Sequence, residues 1–125
     1  MSGDRIRLDV LRDRRFPVHG IADRLLPFLR VLVEQFQPEQ VVLFGSYASG
    51  KPGEDSDVDL LVVKPIKESR LKDKLAIRRA WWPLLRAGHK MSFDLLLVDP
   101  AENRRRAESA GSFHRDILEQ GLRLV

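Results

Sequence analysis

A chain of 125 residues can bury one hydrophobic core and leaves little length for a second folding unit, so we expect a single domain over 1–125, with a core from about 24 to 121 and an N-terminal extension of about 1–20. Hydrophobic residues at 43% and charged residues at 32% exclude a disordered chain, and no apolar run reaches the roughly 18 residues of a membrane-spanning helix. The net charge of +4 is compatible with an anionic partner, but the 22 basic residues are interleaved with 18 acidic ones, which suits solvated faces as well as a contact surface.

The opening Met1-Ser2-Gly3-Asp4-Arg5 leads into charged sequence without the apolar stretch of a signal peptide, and there is no cysteine, so a cytoplasmic protein is expected. Ile6, Leu8 and Val10 alternate like an accessory strand, while Ile6 and Val10 also share a helical face; the pattern suits both. From Arg24 to Gln37, Leu25, Phe28, Leu29, Leu32 and Phe36 recur at helical spacing, with Pro27 tolerated if it falls in the first turn and Pro38 closing the helix. Val41-Val42-Leu43-Phe44 then predicts a buried strand, ending in Gly45-Ser46 and a brief helical turn from Ser46 to Ser49.

Turn formers over 50–56 lead into a second strand, Asp57 to Val63, stopped by Pro65. A helix is expected over 67–87, carrying Leu71, Leu75, Trp81 and Leu85, with a kink at Pro83 and a stop at Gly88. Adjacent helical residues cannot both face one core, so one of Trp81 and Trp82 should be exposed. Ser92 to Val98 reads as a third strand. Asp99-Pro100-Ala101-Glu102 has the residues of a capped helix start, and Ser112 caps a last helix that Gly121 ends. His114, in the first turn of that helix, is expected on the surface, and His19 and His89 in loops. The fold class is α/β (α+β): a small mixed β-sheet flanked by helices.

Asp57 and Asp59 stand two apart in a strand, so both carboxylates project from one face. Two neighbouring carboxylates repel unless a cation compensates them, and magnesium, which takes a few carboxylate oxygens with water and phosphate oxygens, suits such a pair. Upstream, Gly45 lets the backbone approach a phosphate, the Ser46 hydroxyl can donate to it, and a helix start presents free N–H groups. Asp94 is the only charge in an otherwise apolar strand, which calls for a partner there. Two other motifs fail. Gly45 to Lys51 approaches a phosphate-binding P-loop, but Pro52 replaces its Ser or Thr; Asp55, Asp57 and Asp59 start like an EF-hand, but Leu60 replaces its glycine and Ile66 its glutamate.

Gly45-Ser46, then Asp57-Val58-Asp59, then Phe93-Asp94-Leu95 resembles the minimal nucleotidyltransferases of the DNA polymerase beta superfamily, and the likeness extends to Gly111-Ser112-Phe113 and to Ile117 through Gly121. The resemblance implies the nucleotidyltransferase fold, two Mg2+ ions held by Asp57, Asp59 and Asp94, and a nucleoside triphosphate, ATP, on Gly45 and Ser46. It further implies transfer of AMP to a protein hydroxyl, as in antitoxins that modify a helical HEPN-type ribonuclease toxin. Ser49 departs from the pattern, since many members carry a basic residue there; Lys51 stands nearby. Transfer to RNA or a small molecule, and an inactive module that only binds a partner, are the alternatives.

Overall fold

A computed structural model describes residues 5–125. Its centre is a sheet of β1 (Gln40–Phe44), β2 (Val58–Val63), β3 (Phe93–Val98) and a short β4 (Leu122–Arg123), in the spatial order β3-β2-β1-β4. Around it, among the described residues, lie α1 (Leu8–Leu11), α2 (Ala22–Val31), α3 (Ser46–Ser49), α4 (Arg70–Arg86), α5 (Pro100–Ala107) and α6 (Phe113–Gln120). The sheet is mixed: β1 runs antiparallel to β2 and β4, and β2 parallel to β3. A parallel pair needs a long crossover, and α4 provides it.

Side chains alternate along each strand, so the sheet has two unequal faces. Val41, Leu43, Leu60, Val62, Leu95 and Leu97 join the larger core, under α2 and the buried side of α4. Val42, Leu61, Val63 and Val98 form a smaller cluster with Ile117 of α6. By the same alternation Asp59 and Asp94 project from this second, more thinly covered face. Residues 5–21 add Ile6, Leu11, Val18 and Ile21 to the larger core, and the Arg7 amide donates to the Leu124 carbonyl at 2.7 Å.

Several local expectations are corrected. The N-terminal pattern forms the short helix α1 and no strand. The second helix starts earlier than Arg24, because a 3-10 turn over Pro17–Ile21 feeds it and Ile21 and Ala22 are buried. Pro27 therefore sits inside α2, where the packing of Leu25, Phe28 and Leu29 outweighs the missing hydrogen bond. The helix widens into a π-turn over Leu32–Phe36 and ends at Gln37 in the left-handed region. In α4 the buried residues are Asp73, Ile77 and Trp81, four apart, so Leu71 and Leu75 lie outside, and Leu85, in the last turn, is exposed as well. Trp82 is the exposed tryptophan. Ser69 caps α4 by accepting the Lys72 amide at 3.1 Å, and the Asp99 and Ser112 caps are as expected. His114 is buried: α6 turns it toward α5, where its Nε2 meets the Asn103 Oδ1 at 2.7 Å.

One charged pair inside the fold ties α4 to the end of β2. Lys64 Nζ lies 3.0 Å from Asp73 Oδ2, with both side chains more than nine-tenths buried. Burial pushes the Asp73 carboxyl up, but the Lys67 amide, Lys64 and the Glu68 amide outweigh it and leave it below the ordinary carboxylate range. Removing one partner strands the other. We expect Asp73→Ala to lower unfolding free energy by about 3 kcal/mol at pH 7. A depressed carboxyl contributes stability above its unfolded pKa of about 3.9 and loses it as pH falls through the folded value, so the difference from wild type should shrink below about pH 4 in denaturant titrations.

Candidate active site

At the end of β1 the chain turns at Gly45, whose φ is +75°. A Cβ built on it would lie 2.0 Å from Asp59 Oδ2, so only glycine lets this backbone press against that carboxylate. The α3 turn follows at once, with the Ser49 amide donating to the Gly45 carbonyl at 3.3 Å and the Gly50 amide to the Ser46 carbonyl at 2.9 Å. The Gly45-Ser46 turn thus stands directly beside one of the carboxylates.

The strand ladder sets the rest. Asp59 pairs with Phe44 on β1 and with Asp94 on β3. Neighbouring strands lie about 4.8 Å apart, so the two carboxylates leave the same face of the sheet from adjacent strands. Asp57 stands just ahead of β2, where the Val58 amide donates to the Ser92 carbonyl at 2.8 Å. Behind Asp94, on the opposite face, Phe93 stacks on Trp81 with ring centroids 4.2 Å apart, and the Trp81 indole donates to the Phe28 carbonyl at 3.0 Å. Arg78 Nη2 donates to the Phe93 carbonyl at 3.1 Å and fixes the outer edge of β3. Burial pushes the Asp59 carboxyl above the ordinary range, and the charges of Asp94 and Asp57 push it further.

Among the described residues no group of three or more His, Cys, Asp or Glu side chains is arranged as a ready metal cage. The carboxylates share one end of the sheet as an open set. Beside them a cleft of about 320 Å³ is lined by Gly45, Ser49, Asp59, Phe113, Asp116 and Gln120. A second cleft of about 380 Å³, between α4, α5 and α6, shares Phe113 and Ile117 with it. Phe113 is exposed and meets Phe44 edge-on at 6.1 Å. Tyr47 is half-buried against the larger core. His19 and His89 are exposed. The sequence missed Asp116 and Gln120 at the cleft; only their helical spacing of four could have suggested a shared face.

An acid whose folded pKa is raised favours the fold below its unfolded value and costs stability as pH rises through its folded value. We therefore expect Asp59→Asn to raise the melting temperature of the metal-free protein at pH 7 and to have no such effect at pH 3. Scanning calorimetry reads this, each 1 kcal/mol corresponding to about 4 °C in a domain of this size. A lowered melting temperature at pH 7 would mean that Asp59 is not under like-charge strain.

A family model described as the nucleotidyltransferase domain matches residues 26–123, which contain the Gly45-Ser46 turn and all three carboxylates. No curated protein and no solved structure matches the chain. No helix among the described residues is long and apolar enough to cross a membrane. The general chemistry of the matched family is nucleotidyl transfer, and the mixed sheet flanked by helices is consistent with its fold. The chain belongs to the nucleotidyltransferase domain family, of the DNA polymerase beta type.

Proposed function

We propose that this chain transfers AMP from ATP to a hydroxyl of a partner protein, with Asp57, Asp59 and Asp94 holding magnesium and Gly45 and Ser46 holding the triphosphate. The observation that carries the assignment to this site is the register of Asp59 with Asp94 while the Gly45 backbone presses on Asp59. The donor set fits the metal: oxygen ligands only, Asp59 lining the cleft, and its carboxyl raised by burial and by the charges of Asp94 and Asp57. When bound, the metal pair supplies positive charge that stabilises the attacking and leaving oxygens.

The residues of this chain then have distinct tasks. The α3 start and the Ser46 hydroxyl orient the phosphates by hydrogen bonds. Asp94, on the exposed edge strand, accepts the proton of the acceptor hydroxyl. The new bond joins the acceptor oxygen to the α-phosphorus as the bond to the pyrophosphate oxygen breaks. Positioning and charge compensation provide most of the acceleration.

A protein acceptor is favoured because the clefts beside the carboxylate end of the sheet are open and leave an acceptor room to complete its own pocket. The resemblance to antitoxins makes a HEPN-type helical ribonuclease the partner we propose, with the cytoplasm as the compartment.

Replacing Asp57 or Asp94 by Asn should keep the fold and lower turnover by at least about 10²-fold, the scale for losing a group that compensates transition-state charge. Ser46→Ala removes one donor to a charged group and should cost about tenfold. With magnesium and host lysate, label from α-labelled ATP should appear on a small helical protein, and γ-labelled ATP should leave it unlabelled. Label found only in RNA or a small molecule would move the acceptor class, and γ-label on protein would make the reaction phosphoryl transfer.

A further inference from the structure

Helix α4 buries Asp73, Ile77 and Trp81 and turns a second apolar stripe outward. Leu71 is 68% exposed, Leu75 47%, Trp82 57% and Leu85 38%. At 3.6 residues per turn these four fall within an arc of roughly 80° and run along about 21 Å of helix, with exposed Arg78 inside the same arc between Leu75 and Trp82, its guanidinium held on the Phe93 carbonyl. Exposed apolar residues are normally scattered singly, and an aligned row marks a contact surface. Lys72, Lys74, Arg79 and Arg86 border the row and form no ion pair among the described residues. The helix's one acidic residue, Asp73, is buried against Lys64.

We infer that this face of α4 docks an amphipathic helix of a partner protein, one whose apolar stripe is bordered by aspartate and glutamate. Two helices packed along such stripes bury both, and acidic borders pair with the four uncommitted cations. A second copy of this chain fits badly, because a two-fold contact would set these cations against themselves. Nucleic acid would engage the cations and leave Leu71, Leu75 and Leu85 without stacking faces or base contacts to make. An anionic membrane would engage the same cations, whereas the spacing of four, three, four and three from Leu71 through Leu75, Arg78 and Trp82 to Leu85 is that of a helix–helix seam.

Docking is read by binding alone, without nucleotide or metal, so its loss and a loss of transfer are separate results. The probe is a synthetic 18-residue helix with leucines at heptad spacing and glutamate borders, titrated into the full chain. Trp81 is already buried, so a saturable blue shift of tryptophan emission reports Trp82. We expect that shift, an affinity that falls with added salt, and at least about thirtyfold weaker binding to Leu75→Glu, the loss typical of a central anchor. Far-UV circular dichroism of Leu75→Glu should match wild type, since the residue lies outside the core. Equal binding of the same helix with lysine borders would overturn the inference. So would the same shift with anionic phospholipid vesicles, with oligo-uridine or on raising protein concentration alone, and so would no shift with any probe.

Discussion

Carboxylates on neighbouring strands repel one another, and the region around Asp59 is organised by what holds them side by side. The β2–β3 ladder fixes Asp59 against Asp94, while Leu60, Val62, Leu95 and Leu97 on the reverse face supply the burial that offsets the repulsion. Trp81 anchors the start of β3 through Phe93 and is itself tied to α2 by its indole hydrogen bond. The charge is concentrated by the core beneath it. Gly45 adds to the constraint, because its backbone occupies space that any side chain would need.

The unequal covering of the sheet leaves the carboxylates on one face. The side under α2 and α4 is filled by the larger core, whereas α5 and α6 cover only part of the other. Gly121 brings the end of α6 close to β1: a Cβ there would lie 2.6 Å from Val42 Cγ1 and 2.8 Å from the Leu43 carbonyl oxygen. That contact seats α6 as a wall of the cleft beside Asp59 and leaves the carboxylate end open. The helix α4 serves both sides of the molecule. Its inner row fills the core, Arg78 secures the edge of β3, and its outer row faces solvent.

Much of this was legible in the sequence where the signal was local. Strands β1, β2 and β3 follow from apolar runs bounded by turn formers, and Gly45-Ser46 and Asp57-x-Asp59 mark their sites by short spacing. That Asp94 needs a partner could be expected from its charge, and the resemblance implied that it joins Asp59, but the register itself is a non-local fact of the parallel pair. Helix α4 was legible as a helix, but it carries two apolar rows, and periodicity cannot tell which one faces the core. His114 was misplaced because its burial depends on Asn103 from another helix, and β4 is too short to leave a pattern. Asp116 and Gln120 gained their place at the cleft only through the approach of α6 to β1.

The central claim is that the open set of carboxylates, with the Gly45-Ser46 turn beside it, is where metal and triphosphate meet. A crystal structure with manganese and an ATP analogue that cannot be cleaved at the α–β bridge tests this most directly. Anomalous density is expected between the carboxylates of Asp59 and Asp94, with phosphate oxygens against the Ser46 hydroxyl and the α3 start. Metal and nucleotide bound together elsewhere, with those carboxylates unengaged, would contradict it.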